Sequence, residues 1–86
     1  MRVISQDGTL DFPYENSIVF IDTRGVRDKA FVRTQAIGDN EASIMAQYST
    51  EEKAKKAMKM LREDYKKCVK CHYLMTFQFP AEEELE

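Results

Sequence analysis

Residues 48–68 read YSTEEKAKKAMKMLREDYKKC, and this stretch decides the fold because it combines a helix start signal with helical spacing of apolar residues. Ser49 is predicted to be the N-cap, and Glu52 three residues later would complete a capping box. The apolar residues of one helical stripe are Ala54, Ala57, Met58, Leu61 and Tyr65. We therefore expect one long amphipathic helix whose apolar stripe is buried.

The other faces of this predicted helix are strongly basic. They carry eight of the 13 lysines and arginines of the chain, namely Lys53, Lys55, Lys56, Lys59, Arg62, Lys66, Lys67 and Lys70. Such a surface could contact phosphates, and binding would then depend on salt. Acidic residues interrupt it at helical spacing, as at Glu63 and Lys67, so a solvated helix surface is the simpler interpretation.

Short segments on both sides of the helix have the composition of β-strands. They are Val3–Ser5, Thr9–Phe12, Ser17–Asp22, Lys29–Gln35, Ala42–Tyr48 and, after the helix, Tyr73–Phe79. Asp7-Gly8 predicts a hairpin between the first two. The apolar run in Ser17–Asp22 predicts a central strand covered on both faces. The fold class expected is α+β, an antiparallel sheet of about five strands with one long helix of the C-terminal half packed on one face.

Length and charge limit the architecture further. The chain has 86 residues and a net charge of −2, so residues 1–86 should form a single domain with no general attraction for nucleic acid. A domain this small has a thin margin of stability, which favours a homo-oligomer. No apolar run suits a signal peptide or a membrane span, so a cytoplasmic protein that does not contact a membrane is expected. The glutamate-rich end after Pro80 is not expected to pack firmly.

The segment Cys68-Val69-Lys70-Cys71-His72 matches the CxxCH pattern. Haem attachment, zinc binding, thiol redox chemistry and an ordinary connection between helix and strand are all compatible with it. A structural zinc site would need a fourth ligand, and the chain has no other cysteine or histidine. The connector is the preferred interpretation, so we predict no metal and no cofactor. No nucleophile with a base at recognisable spacing is present, and we do not expect an enzyme.

Arginines and aromatic residues are the best candidates for binding an anionic ligand. Guanidinium groups hold phosphates through paired hydrogen bonds, and aromatic rings stack on bases. Tyr14 and Phe77 offer rings of this kind, although at least half of the aromatic residues must belong to the core. The residues predicted to bind ligand are Arg24, Arg27, Arg33, Arg62, Tyr65 and Phe79.

Three blocks of the sequence resemble a family of short phage and prophage proteins. The blocks are RVISQDGTLDFPYE, AQYSTEEKAKKAMKMLREDY and FQFPAEEELE, in this order, and they cover about half of the chain. Residues 17–44 and the CVKCHYL stretch lie outside the resemblance, so the cysteine motif gains nothing from it. Most members of this family carry no assigned activity.

Small phage proteins with a β-sheet and a helix are also similar to the Thoeris anti-defence sponges. This second resemblance implies an oligomeric phage protein, located in the host cytoplasm, that sequesters a cyclic nucleotide immune signal without turnover. The signal would be a cyclic ADP-ribose isomer or a cyclic oligonucleotide, held in pockets shared between subunits. The alternative is a protein that binds and inhibits a host defence effector or a phage-related effector through its acidic tail or an exposed strand edge.

Overall fold

A computed structural model describes residues 1–23, 29–71 and 75–85 of the chain. The strands are β1 (Arg2–Ile4), β2 (Asp11–Pro13), β3 (Ser17–Asp22), β4 (Ala30–Ala36), β5 (Ser43–Tyr48) and β6 (Thr76–Gln78). One long helix, α1, spans Glu51–Cys71, and 3₁₀ helices span Tyr14–Asn16 and Glu82–Leu85. The α+β class is therefore confirmed.

The strands form two sheets instead of the single sheet predicted. The first has the order β2-β1-β6 and the second the order β3-β4-β5, with three strands each. The prediction of one antiparallel sheet is wrong in a second respect, because β6 runs parallel to β1, with Phe77 opposite Val3. This pair joins the two ends of the chain, and no local sequence signal reports such a distant pairing.

The hairpin between β1 and β2 agrees with the Asp7-Gly8 signal. The two strands are antiparallel, and Gly8 has a φ of 79°, in the left-handed region that glycine tolerates best. The Asp7 carboxylate accepts hydrogen bonds from the Ser5 hydroxyl and from the hydroxyl and backbone N–H of Thr9. These bonds lower the pKa of Asp7 from 3.8 to about 2.

Strand β3 has the predicted bounds but not the predicted position. It lies at the edge of its sheet, with β4 in the centre. Ile18 on β3 is 59% exposed, so the prediction of a central strand covered on both faces is wrong. The physical reason is that the only long helix covers one face of the sheet, leaving nothing within the described residues to cover the other.

The core lies between the β3-β4-β5 sheet and α1. Alternate residues of β4, namely Ala30, Val32 and Thr34, are buried on the helix side. The helix contributes Ala54, Ala57 and Leu61, all at most 1% exposed, while Met58 and Tyr65 are half-buried at the margin of the core. The predicted apolar stripe is therefore buried at its centre.

The helix is capped one residue later than predicted. Glu51 is its first residue, and the Thr50 hydroxyl accepts a hydrogen bond from the Lys53 backbone N–H at 3.2 Å. Thr50, not Ser49, is thus the N-cap, and the predicted capping box with Glu52 is wrong because position N3 is occupied by Lys53. The backbone N–H of Ser49 instead donates to the carboxylate of Glu82.

The C-terminal segment packs on the body of the protein, contrary to the prediction. The buried Tyr48 hydroxyl donates to the Pro80 carbonyl at 2.8 Å, and Leu85 is only 7% exposed. The Lys56 ammonium donates to the Leu85 carbonyl at 3.3 Å, and that of Lys53 lies 3.6 Å from Glu82. The buried Leu85 side chain and several polar contacts thus hold a segment that was not expected to pack firmly from its composition.

Candidate functional site

The six predicted ligand-binding residues do not form one site in a single chain. Arg24 and Arg27 lie outside the described residues, so their prediction stays a prediction. Arg33 lies on the sheet face that points away from α1, because its neighbours in β4 are buried on the helix side. Arg62 is exposed on the helix, in the opposite layer. A small ligand bound to one chain therefore cannot contact both Arg33 and Arg62.

Arg33 is engaged within the chain. Its Nε lies 3.0 Å from a carboxylate oxygen of Asp22, and its guanidinium lies 5.8 Å from the ring centroid of Phe31. The Nε–H bond does not point at an acceptor, so the contact with Asp22 is an ion pair without a directed hydrogen bond. This carboxylate would compete with any phosphate for the guanidinium.

Phe79 belongs to the core. It is 1% exposed, and its ring packs edge-on against Phe77 at a centroid distance of 5.3 Å. The period-2 pattern of residues 73–79 indicated aromatic residues on one side of a strand, and the structure places Phe77 and Phe79 inside. No face of the Phe79 ring is open for stacking on a base in this chain.

Arg62 and Tyr65 are the two candidates that the structure brings together. They are three residues apart on α1 and therefore lie on adjacent positions of its surface. Tyr65 is half-buried, and its ring contacts that of Tyr14 at a centroid distance of 4.7 Å with an angle of 51° between the ring planes. No carboxylate among the described residues forms an ion pair with Arg62. We call Tyr14, Arg62, Tyr65 and Lys66 the helix patch.

The helix patch continues into a row of positive charges. These residues follow the spacing i, i+4, i+7, i+11, and each is exposed: Lys55, Lys59, Arg62 and Lys66. The row extends over about 17 Å at 1.5 Å per residue. Among the ion pairs between described residues, the row has only the long contact of 3.9 Å from its first member, Lys55, to Glu51. The sequence already indicates the basic helix, but it does not assign Tyr14 to the site, because the contact between Tyr14 and Tyr65 joins distant segments.

The cavity beside the β1-β2 hairpin does not suit an anionic ligand. It has a volume of about 150 Å³ and lies between the β1-β2 hairpin and the second sheet, with Asp11, Asp39 and Glu41 in its lining. Pockets for small molecules usually measure about 300–1,000 Å³. This cavity is smaller than that range, and its acidic lining would repel phosphate. None of the predicted site residues lines it.

The cysteine motif lies only partly within the described residues. Cys68 is half-buried and forms no disulfide with a described residue, whereas His72 and the side chain of Cys71 fall outside them. Within the part of the chain that is described, no group of three histidines, cysteines or carboxylates could hold a metal ion. The described part also has no helix that is long and apolar enough to cross a membrane.

Comparisons of this chain with protein-family models, with curated proteins and with solved structures found no match. The resemblance to phage proteins and to Thoeris anti-defence sponges therefore stays a prediction.

Proposed function

We propose that this chain is a phage anti-defence protein that binds a cyclic nucleotide immune signal and retains it without turnover, in the cytoplasm of the infected host. The observation that carries this proposal is the helix patch. An exposed arginine with no described carboxylate partner lies beside two aromatic rings in contact. Arg62 and Lys66 would bind phosphate, and the rings of Tyr14 and Tyr65 would pack against a base or ribose.

The arrangement is one for binding and not for catalysis. A guanidinium, an ammonium and two phenol rings supply hydrogen bonds and stacking, and the helix patch contains no nucleophile paired with a base. The patch lies on a convex helix and not in a cavity, so one copy covers only one side of a ligand. Affinity adequate for sequestration would therefore require a second surface to cover the ligand, as in an oligomer.

The proposal is tested by retention and release. Purified protein is incubated with a panel of cyclic ADP-ribose isomers and cyclic oligonucleotides, filtered and heated, and the released ligand is identified by mass. Intact ligand supports the proposal, chemically altered ligand would indicate an enzyme, and no retention at a micromolar protein concentration would reject it.

Substitutions in the helix patch identify the binding surface. Arg62→Lys keeps the charge but removes the paired hydrogen bonds, so we expect about a tenfold or greater loss of affinity, about 1.4 kcal/mol. Tyr65→Leu should reduce retention through lost stacking. Lys67→Gln is the matched control, because Lys67 is exposed on α1 but lies outside the charged row. A loss for Lys67→Gln without a loss for Arg62→Lys would indicate nonspecific charge attraction, because only Lys67→Gln removes a charge.

The open edge of β3 favours a second candidate function, a protein that inhibits a host defence effector or a phage-related effector by adding a strand to its own sheet. In that case no cyclic nucleotide would be retained. A purified effector would instead form a complex that is lost when the edge of β3 is blocked. The acidic tail is a weaker docking element than the sequence indicated, since Glu82 is engaged with Ser49 and Lys53.

A further inference from the structure

We propose that two copies of this chain pair through the free edge of β3, antiparallel and across a two-fold axis, to form one continuous sheet of six strands. This inference concerns the backbone edge of β3 and does not depend on the ligand proposed above. It rests on the unprotected edge, on the backbone groups that this edge presents and on the match between a strand and its own inverted copy.

The two edges of the β3-β4-β5 sheet differ in whether other residues form hydrogen bonds with them. At the β5 edge, the backbone N–H of Gln6 donates to the Met45 carbonyl at 2.7 Å, and the side-chain oxygen of Gln6 accepts from the Gln47 N–H at 3.1 Å. A register shift in β5 lies at this position. At the β3 edge, no residue among 1–23, 29–71 and 75–85 pairs with the strand.

Strand β3 also lacks the features that protect edge strands. Natural edges are usually short, contain lysine or proline, or are interrupted by a bulge. β3 has six residues, SIVFID, with one charge and no lysine, proline or glycine, and its pairing with β4 is regular over the whole length. Such a segment pairs readily with another strand. We infer that another chain covers it.

The hydrogen-bonding pattern shows which backbone groups face outward. The Ile37 N–H donates to the Asn16 carbonyl, in the same register that pairs Ser17 with Ala36. Because bonding positions alternate in an antiparallel pair, the even-numbered residues of β3 bond to β4. The N–H and C=O groups of Val19 and Ile21 therefore point to the free edge.

A register centred on Phe20 allows these groups to pair with a second copy. If Phe20 lies opposite Phe20 of the second copy, Val19 faces Ile21 of that copy on each side of the axis. Val19 and Ile21 then exchange N–H···O=C bonds on both sides, which satisfies the N–H and C=O groups of these two residues in each strand. A slip of one residue would place core-facing side chains opposite side chains of the outer face, so it is disfavoured.

The same register suits the side chains. The two Phe20 rings meet at a non-hydrogen-bonded position, where Cα atoms are about 4.5 Å apart and side chains pack closely. Val19 and Ile21, which are only half-buried in one chain although they face the core, would be covered by the same residues of the second copy. The outer face near the axis carries Asp22 and Arg33, one charge of each sign, so two copies do not repel each other.

The exposed area is consistent with a missing partner. The chain exposes 5949 Å², whereas a folded monomer of 10.0 kDa is expected to expose about 5,200 Å². The excess of about 700 Å² is close to the area of about 800 Å² that each partner contributes to a standard interface.

The first test is the mass in solution. Light scattering of the full chain at about 100 µM, above the micromolar dissociation constants of the weaker standard interfaces, should give twice the mass of the chain. A mass of one chain at that concentration would overturn the proposal.

The second test uses charges at the axis. Phe20→Lys and Phe20→Glu each place two like charges opposite each other, so each variant alone should be monomeric. An equimolar mixture should recover the dimer, because lysine then faces glutamate, and this recovery also shows that both variants fold. Ile44→Glu, at an exposed position of β5 on the same face, should remain dimeric. Dimers of both single Phe20 variants, or a mixture that stays monomeric, would refute the pairing.

Discussion

The attachment of the C-terminal segment can be tested through the Pro80 carbonyl. This oxygen accepts two hydrogen bonds, one from the Tyr48 hydroxyl at 2.8 Å and one from the side-chain amide of Gln6 at 3.0 Å. Tyr48 is 1% exposed, and burial raises the pKa of its hydroxyl, so the group stays a neutral donor well above neutral pH. Removing one donor leaves the carbonyl with the other, whereas removing both leaves it buried and unpaired.

This difference predicts that the two substitutions are not additive. Tyr48→Phe should lower the free energy of unfolding by about 0.5–1.5 kcal/mol, the usual net value of one hydrogen bond. Gln6→Met should lower it by about 1–3 kcal/mol, because it also removes the acceptor of the Gln47 N–H. The double variant should lose about 1 kcal/mol more than the sum, because an unsatisfied buried carbonyl costs about 1–3 kcal/mol. One kcal/mol corresponds to about 4–8 °C in Tm for a domain of this size.

The measurement is a double-mutant cycle by urea denaturation. The free energy of unfolding must fall with urea concentration at the same slope in all four proteins, so that their folded and unfolded states are equivalent. A control cycle of Gln6→Met with Thr50→Ala, which share no partner, should be additive within about 0.5 kcal/mol. If the Tyr48 and Gln6 substitutions were also additive within that error, the shared carbonyl would not be the reason for their effect, and our account of the tail would be refuted.

Three further predictions concern the helix cap, the hairpin and the tail. Thr50→Ala should lower stability by about 1 kcal/mol in thermal unfolding, because the Thr50 hydroxyl caps the helix. Ser49→Ala should change stability by less than about 0.5 kcal/mol, because the Ser49 hydroxyl does not cap it. Equal effects of the two substitutions would contradict this assignment of the N-cap. The pKa of Asp7 is lowered from 3.8 to about 2, so its contribution to stability is present above pH 3.8 and is lost as the pH falls toward 2. The difference in Tm between the wild type and Asp7→Asn should therefore shrink over that range, and a constant difference would exclude the carboxylate as the cause. Leu85→Ala should cost about 2 kcal/mol, the lower end for buried leucine, and an unchanged Tm would mean that the tail is not anchored.

Local features of the fold could be predicted from the sequence because they depend on neighbouring residues. The bounds of Ser17–Asp22 match β3, and the Asp7-Gly8 hairpin forms where the turn residues indicate. The helix is also correct, although Thr50 and Ser49 both suit an N-cap and the sequence does not distinguish them. These features require only periodicity and turn chemistry, which act over a few residues.

Features that depend on distant segments could not be predicted. The parallel pairing of β6 with β1 joins residues more than 70 positions apart, and the tail is held by a tyrosine that precedes the helix. The candidate site has the same limitation. Residue type alone does not show that Arg33 is paired with Asp22 or that Phe79 is buried. The contact between Tyr14 and Tyr65 likewise appears only when the chain is folded.

The wrong prediction for β3 is informative because the sequence of this strand suits a more buried position than the one it occupies in a single chain. The composition of Ser17–Asp22 is that of a strand covered on both faces, yet the described part of one chain has a single long helix, on one face, and leaves Ile18 exposed. A strand with this composition is costly to leave at an open edge, since it exposes apolar side chains and invites uncontrolled pairing. Closed pairing with a second copy removes the open edge and covers Val19 and Ile21 further, whereas Ile18 stays exposed on the outer face. In such a dimer the two helix patches lie on the layer away from the shared face of the sheet, so both copies keep Arg62 available to a ligand. If the helix patch of another copy supplies the second surface that covers a ligand, a cyclic nucleotide should be retained in a ratio of one per two chains, and a ratio of one per chain would show that a single helix patch suffices.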